Sequence, residues 1–215
     1  MTLDLFGASD TGTYDRMGSA AGILRGFALP DVDALLPALA DIQAASPFRH
    51  MITPGGFTMS VALSNCETLG WTSDRFGYRY SRVDPSHGRP WPAMPAVFLR
   101  LAQRAAAAAG FDGFAPDACL INRYVPGSRL SLHQDKNEVD SSAPIVSVSL
   151  GMAAVFVFGG HARTDKCFRT SLLHGDVAVW GGEDRMRYHG VLPMVDAPHP
   201  LLGSQRINLT FRKAA

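Results

Sequence analysis

Arg206-Ile207-Asn208-Leu209-Thr210-Phe211-Arg212 is the stretch from which this chain is best read. Side chains alternate across a strand, so the heptapeptide puts Ile207, Leu209 and Phe211 on one face and Arg206, Asn208, Thr210 and Arg212 on the other. One face suits a core; the opposite face carries two guanidiniums. Upstream, His133-Gln134-Asp135 places an imidazole and a carboxylate two residues apart, on one face of an extended segment, and His189 can join them from a distant strand. Two imidazoles and one carboxylate on one side of a metal make a facial triad. That set leaves positions open on Fe(II) for a co-substrate and dioxygen, whereas a structural zinc site is closed by four protein ligands. Guanidiniums fork onto carboxylates, so two of them beside a ferrous site suit a dicarboxylate such as 2-oxoglutarate. With seven histidines and nineteen acidic residues in the chain, the H-x-D alone is a weak signal, and the arginine-bearing strand gives it weight.

Working outward, short β-rich runs bounded by turn residues fall at 118–124, 145–150, 153–158, 170–174, 176–180 and 206–212, a pattern that predicts a sandwich or jelly roll. Two helices precede them. From Asp31 as N-cap, Leu35, Leu36, Leu39 and Ile42 recur at helical spacing until Ser46-Pro47, with Pro37 in or near the first turns. The second runs from about Met94 through the Ala105–Ala109 run to Gly110, a natural stop. There is no internal repeat and no interdomain linker; Gly55-Gly56 and Gly159-Gly160 read as turns.

At 215 residues and 47% hydrophobic, the chain has the length and apolar content of one domain with a sizeable core. It has no run of eighteen apolar residues, and Met1-Thr2-Leu3-Asp4 resembles no export signal, so a soluble cytoplasmic protein without membrane contact is expected. Cys66, Cys119 and Cys167 are odd in number and widely spaced, which disfavours disulfides and structural zinc. The net charge of +1 hides an uneven distribution. Residues 1–48 hold two Arg against six Asp, a net of −4, and residues 49–104 hold seven Arg against three acids, a net of +4. In that middle stretch Trp71, Phe76, Tyr78, Tyr80 and Trp91 interleave with Arg75, Arg79 and Arg82. Such a mixture supplies stacking platforms and phosphate contacts for nucleic acid, or else is an Arg-bearing hairpin whose aromatics pack on a sheet.

Several stretches in order resemble the AlkB-type 2-oxoglutarate- and Fe(II)-dependent nucleic-acid dealkylases, close to the bacterial prototype, over nearly the whole length. They are Ser46-Pro47-Phe48-Arg49, Thr53-Pro54-Gly55-Gly56, Leu69-Gly70-Trp71-Thr72, Pro90-Trp91-Pro92-Ala93-Met94-Pro95, Asp117 to Tyr124, Ser131 to Lys136, Gly175-Asp176-Val177 and Asn208 to Arg212. The resemblance implies an α+β, mainly β fold: a double-stranded β-helix (jelly-roll) core with flanking helices and a substrate lid. It implies one domain over 1–215, with an N-terminal segment and helix (1–46), a nucleotide-recognition lid (47–90) and a catalytic core (91–215).

By the same resemblance His133, Asp135 and His189 are the catalytic iron ligands. Arg206 and Arg212 pair with the carboxylates of 2-oxoglutarate, Arg206 with the distal one, helped by Asn122 and Tyr124 with Asn208 nearby. Trp71, Tyr78, Arg79, Tyr80, Ser131, Lys136, Asn137 and Arg163 line the substrate side, with Trp71 and His133 sandwiching the base. The implied reaction is oxidative demethylation of 1-methyladenine and 3-methylcytosine in single- or double-stranded DNA, extending to RNA. 2-Oxoglutarate and dioxygen are consumed, and succinate, carbon dioxide and formaldehyde are released. A monomer with no obligate protein partner is expected. At Asn137 the chain departs from the prototype, which is acidic there, and Glu138 next to it is a candidate to restore part of the field. His50, His87, His161, His174 and His199 lack partners at ligand spacing and read as polar-surface or core histidines. The principal alternative is a small-molecule 2-oxoglutarate oxygenase, which would keep triad and arginines but not need the basic aromatic stretch. A non-catalytic nucleic-acid-binding module would not need the triad, and a zinc jelly-roll enzyme would not need Arg206 and Arg212.

Overall fold

The structure is a computed structural model and describes residues 11–215. In chain order the elements are β1 (Tyr14–Arg16), β2 (Ala21–Leu24), α1 (Val32–Ala45), β3 (Arg49–Ile52), β4 (Thr58–Cys66), β5 (Gly70–Asp74), β6 (Gly77–Ser81), α2 (Ala96–Ala108), β7 (Ala118–Tyr124), β8 (Leu130–His133), β9 (Ile145–Gly151), β10 (Ala154–Phe158), β11 (Phe168–Leu172), β12 (Val177–Trp180), β13 (His189–Val191) and β14 (Arg206–Arg212). The large sheet has the order β1-β2-β12-β9-β14-β7-β4-β3, the smaller one β11-β10-β13-β8, and β5-β6 stands as a separate ribbon. The strands pair antiparallel with non-consecutive neighbours, as in the expected jelly roll. Among the described residues no helix is long and apolar enough to cross a membrane.

Alternation along β14 organises the whole molecule. Ile207, Leu209 and Phe211 join Val146, Val148 and Leu150 of β9 in a core closed by the two helices. α2 buries Phe98, Leu101, Ala102, Ala105 and Ala106, the one-sided stripe of a helix lying on a sheet. Phe98 meets Phe211 edge-on at 6.2 Å between ring centres. The reverse face of the large sheet packs on the small one through Ile23, Ala178 and Trp180 against Phe156, Phe158 and Val191. The polar side of β14 therefore lies inside the sandwich and is buried throughout, so it is not the solvent face of an ordinary amphipathic strand.

Three expectations change in detail. Asp31 precedes α1 but makes no side-chain cap; its carboxylate accepts from Arg104 Nη1 of α2 at 3.1 Å, joining the helices. Residues 1–46 are more than a leading helix, because β1 and β2 form an edge of the large sheet. The stretch 47–90 is divided: β3 and β4 are large-sheet strands, with Cys66 opposite Cys119 of β7, and only β5 and β6 stand apart. The ribbon is anchored firmly. Trp71 exchanges two hydrogen bonds with the Asn65 amide (2.9 and 3.0 Å), Ser73 Oγ donates to Ile52 O (2.7 Å), and Gly70 sits so close to the Trp91 indole that a Cβ would lie 2.2 Å from it.

Candidate active site

β8 and β13 run side by side with His133 directly opposite His189, and the imidazole centres are 4.4 Å apart. Gly190 permits that approach, since a Cβ there would lie 2.6 Å from Leu130 O. Asp135 follows β8 by two residues and completes the cluster: the ligand atoms of His133, Asp135 and His189 all lie within 4.8 Å of one another. Each imidazole is oriented from behind. His133 Nδ1 is 2.9 Å from Ser131 O and His189 Nδ1 is 3.0 Å from Arg187 O, so Nδ1 carries the proton and Nε2 turns its lone pair towards the carboxylate. His133 Nε2 lies 3.5 Å from Asp135 Oδ1 and His189 Nε2 lies 3.8 Å from Oδ2. Burial, reinforced by His133, pushes His189 down to about 3, so its ring is neutral. Burial alone would raise Asp135, yet the Arg212 guanidinium and the two imidazoles hold its carboxyl well below the usual carboxylate range. Two neutral nitrogens and one anionic oxygen, converging and pre-oriented, fit a divalent iron.

The inner face of β14 is satisfied at its centre and open at one end. Asn122 Nδ2 donates to Asn208 Oδ1 (3.2 Å), Thr210 Oγ1 donates to the same oxygen (2.9 Å), and Asn208 Nδ2 reaches Ser147 Oγ (2.8 Å) and Val148 O (3.0 Å). Arg206 is only 1% exposed and uses Nη2 on Ser149 Oγ (2.9 Å), while its Nε and Nη1 and the hydroxyl of neighbouring Tyr124 are buried without a well-formed hydrogen bond among the described residues. Burial lowers the Arg206 guanidinium and raises the Tyr124 phenol, each offset in part by the other, and among the described residues no carboxylate pairs with Arg206. Buried donors are rarely orphaned, and a bound carboxylate would accept from all three. Arg212 is engaged differently. Its Nη2 and Nε reach Asp135 Oδ2 at 2.8 and 3.1 Å, and Nε lies 3.5 Å from Glu138 Oε1. The two arginines are thus not equivalent: Arg206 is open to a ligand and Arg212 steadies a metal-binding carboxylate.

Glu138 and Arg185 escaped the sequence reading as a pair. Arg185 Nη1 donates to Asp135 O (2.7 Å) and Nη2 to Glu138 Oε2 (3.1 Å), while Tyr80 Oη donates to Glu138 Oε1 (2.6 Å). This buried network ties the ribbon to the metal-binding loop. Two details of the site follow from it. The Tyr80 hydroxyl is engaged by Glu138, and Glu138 is matched by Arg185 and Arg212, so its charge is largely balanced beside Asn137. No spacing rule links positions 80, 138 and 185.

Trp71 and Tyr78 form the platform. They are diagonal neighbours on one face of the ribbon, stacked 5.5 Å apart at 16°, and Trp71 Nε1 donates to Asn137 Oδ1 at 3.4 Å. Arg79 is on the other face, held by Asp74 (2.9 Å at Nη1), and is spent on the ribbon itself. Ser131, Lys136 and Asn137 are exposed beside the triad. Arg163 lies over Tyr188 at 5.8 Å and, with Arg129, Ser131 and Arg169, lines a groove of about 600 Å³ alongside β8. Among the described residues Arg75, Arg82, Arg129, Lys136, Arg163 and Arg169 have no acidic partner, whereas Asp135, Glu138, Asp84 and Asp176 are all paired in the interior. A nearly neutral chain thereby leaves cations free of ion pairs, three of them, Arg129, Arg163 and Arg169, on one groove. The five other histidines lie elsewhere: His50 on Met59 O, His87 near Asp84, His161 on Glu183 O, and His174 tilted against His199.

A pre-oriented His-Asp-His cluster in a jelly roll, with an unpaired buried guanidinium beside it, defines a non-haem iron oxygenase that takes an acidic co-substrate. The sequence model of the 2OG-Fe(II) oxygenase superfamily matches residues 21–212. The alpha-ketoglutarate-dependent dioxygenase AlkB of Escherichia coli (strain K12) is 55% identical over 212 residues, 99% of this chain and 98% of that protein. The nucleic acid dioxygenase ALKBH1 of Mus musculus is 35% identical over 138 residues, 62% of this chain and 34% of that protein. The solved structure of OsALKBH1 superposes with a TM-score of 0.81 at 26% identity, covering 94% of this chain and 100% of that one. This chain belongs to the 2OG-Fe(II) oxygenase superfamily and, within it, to the AlkB-type dioxygenases. Its cofactor is Fe(II), with 2-oxoglutarate and dioxygen as co-substrates.

Proposed function

We propose that this dioxygenase removes methyl groups from alkylated bases in nucleic acid, with 1-methyladenine and 3-methylcytosine in DNA as its main substrates and RNA as a further one. It acts as a cytoplasmic monomer with no obligate protein partner. The observation that carries the substrate class is the Trp71–Tyr78 stack hydrogen-bonded to Asn137, two residues from Asp135, which sets a flat apolar platform at the mouth of the metal site.

His133, Asp135 and His189 would hold the iron through Nε2 and a carboxylate oxygen. Arg206 and Tyr124 take the distal carboxylate of 2-oxoglutarate, beside the Asn122–Asn208 pair, and Arg212 fixes Asp135 and adds positive charge at the near end. Iron held there would supply, with 2-oxoglutarate and dioxygen, the oxidising power to hydroxylate an N-methyl group, with succinate, carbon dioxide and, from the hydroxymethyl product, formaldehyde as the released products. Trp71 stacks on the extruded base, with the His133 ring on its other side. Methylation at N1 of adenine or N3 of cytosine blocks pairing, which lowers the few kcal/mol that extrusion costs. Asn137 offers an uncharged acceptor near that base. Lys136 and Arg163 contact phosphates, and Ser131 lines the same nucleic-acid side.

The test is incubation with Fe(II), 2-oxoglutarate, ascorbate and a 3-methylcytosine oligonucleotide, followed by mass spectrometry. Loss of the methyl mass supports the reading. An unaltered oligonucleotide, with 2-oxoglutarate consumed only when small metabolites are offered, replaces it with a small-molecule oxygenase.

A further inference from the structure

The β5–β6 ribbon closes through two residues, Arg75 and Phe76, between the paired Asp74 and Gly77. Phe76 is 78% exposed, more than any other aromatic of the ribbon. One exposed aromatic is unremarkable by itself; what distinguishes this one is how it is held. Its N–H donates to Asp74 Oδ1 (2.8 Å), Asp74 is gripped in turn by Arg79, and Gly77 takes a φ of +126° that other residues adopt only with strain. The Arg75 guanidinium lies 4.6 Å from the Phe76 ring centre and forms no ion pair among the described residues, Asp74 being bound by Arg79. A stiffened tip therefore presents an aromatic ring with an unpaired cation against it.

The tip also stands at the outer end of the ribbon that carries the stack. Tyr78, stacked on Trp71, pairs with Ser73 between the Trp71–Tyr80 pair and the turn that holds Phe76. Trp71, Tyr78 and Phe76 thus follow one another along the ribbon from its Asn137 contact to its tip. Extruding a base leaves its neighbour without a stacking partner on one side, and an aromatic ring can replace that partner whatever the base, because every base has a π-face.

Resting on the nucleic-acid reading above, we propose that Phe76 stacks on the nucleotide adjacent to the extruded base and that Arg75 meets the phosphate between the two. Phe76 is then a substrate-positioning residue that lets the enzyme hold a short stretch of strand.

The experiment compares wild type with Phe76→Ala, Phe76→Leu and Phe76→Trp on methylated oligonucleotides carrying 2-aminopurine on one or the other side of the lesion. Wild type should quench the fluorophore on one side. Ala should abolish the quench and raise the oligonucleotide KM about 5- to 150-fold, the range for one base–aromatic stack. Leu, apolar without a π-face, should recover little, and Trp should restore both readouts. A quench that survives in Phe76→Ala, or a KM unchanged in it, overturns the stacking role alone. Failure of wild type to demethylate any methylated oligonucleotide overturns the nucleic-acid reading, and the stacking role with it.

Discussion

Replacing Arg206 with Met should make the metal-free protein more stable while crippling its use of 2-oxoglutarate. The Arg206 guanidinium is buried, donates from Nη2 to Ser149 Oγ, lies against Tyr124, and pairs with no carboxylate among the described residues. A buried cation without a counter-ion is held against a desolvation penalty of several kcal/mol, and apolar replacements of similar volume at buried charged sites are neutral or stabilising by about 1–4 kcal/mol. For a chain of this length each kcal/mol shifts Tm by roughly 2–4 °C. The same charge is what a co-substrate carboxylate needs. Removing one partner of a buried, hydrogen-bonded charge pair costs about 2–5 kcal/mol, or a roughly 30- to 4000-fold rise in the 2-oxoglutarate KM. Thermal unfolding of the metal-free protein, with and without 2-oxoglutarate, and succinate formation against 2-oxoglutarate concentration read both effects. An apo Tm several degrees below wild type together with unaltered 2-oxoglutarate saturation would refute the reasoning, because Arg206 would then be a structural residue whose partners lie in the protein.

Four further outcomes are expected. Asp135→Ala should bring turnover to background at near-stoichiometric iron and, by stranding Arg212, cost about 3–5 kcal/mol of stability; full activity would end the metal assignment. Oligonucleotide affinity should fall with salt at a log–log slope of roughly −2 to −4, for about three to five phosphate contacts from cations such as Arg75, Arg82, Lys136 and Arg163; a slope near zero would remove the nucleic-acid role of these residues. Asn137→Asp should raise the ratio of kcat/KM for 3-methylcytosine over 3-methylthymine about fivefold, since one nearby charge interaction is worth ~1 kcal/mol, and a ratio unchanged or lowered would take charge discrimination away from position 137. His189 is depressed to about 3, so below the ordinary imidazole range the unfolded chain takes up a proton that the folded one refuses; stability should fall with pH between about 6.5 and 3, by up to ~1.4 kcal/mol per pH unit from this group, and denaturant unfolding at several pH values should show a shallower fall in His189→Gln.

What the sequence showed, and what it hid, follows from the range of the interactions involved. β7 and β14 were visible at their full bounds because a seven-residue strand carries enough alternation to be recognised, and the i, i+2 spacing of His133 and Asp135 is a local property. α2 was visible in its high-propensity Ala run and the glycine stop that follows it. β8 and β13, which bring the two imidazoles together, are four and three residues long, too short for any periodicity, and their register depends on Gly190 meeting the β8 backbone. β2 is buried on both faces and so shows no alternation at all. Asp31 has the chemistry of a helix cap, but Arg104 from a distant helix outcompetes the local backbone for it. The same holds at the site. Alternation marked Arg206 and Arg212 as a pair, yet only the fold shows that one is open while the other grips Asp135, and that Tyr80 turns inward to Glu138.

The central claim is that oxidation of 2-oxoglutarate at His133, Asp135 and His189 is coupled to removal of a methyl group from nucleic acid, and product stoichiometry tests it most directly. Succinate and formaldehyde are measured together, with Fe(II) present or chelated, on matched oligonucleotides with and without a single 3-methylcytosine. The account predicts equal amounts of the two products with the methylated strand, little of either with the unmethylated one, and none without iron. Succinate released at the same rate whichever strand is present, with no formaldehyde, would contradict it.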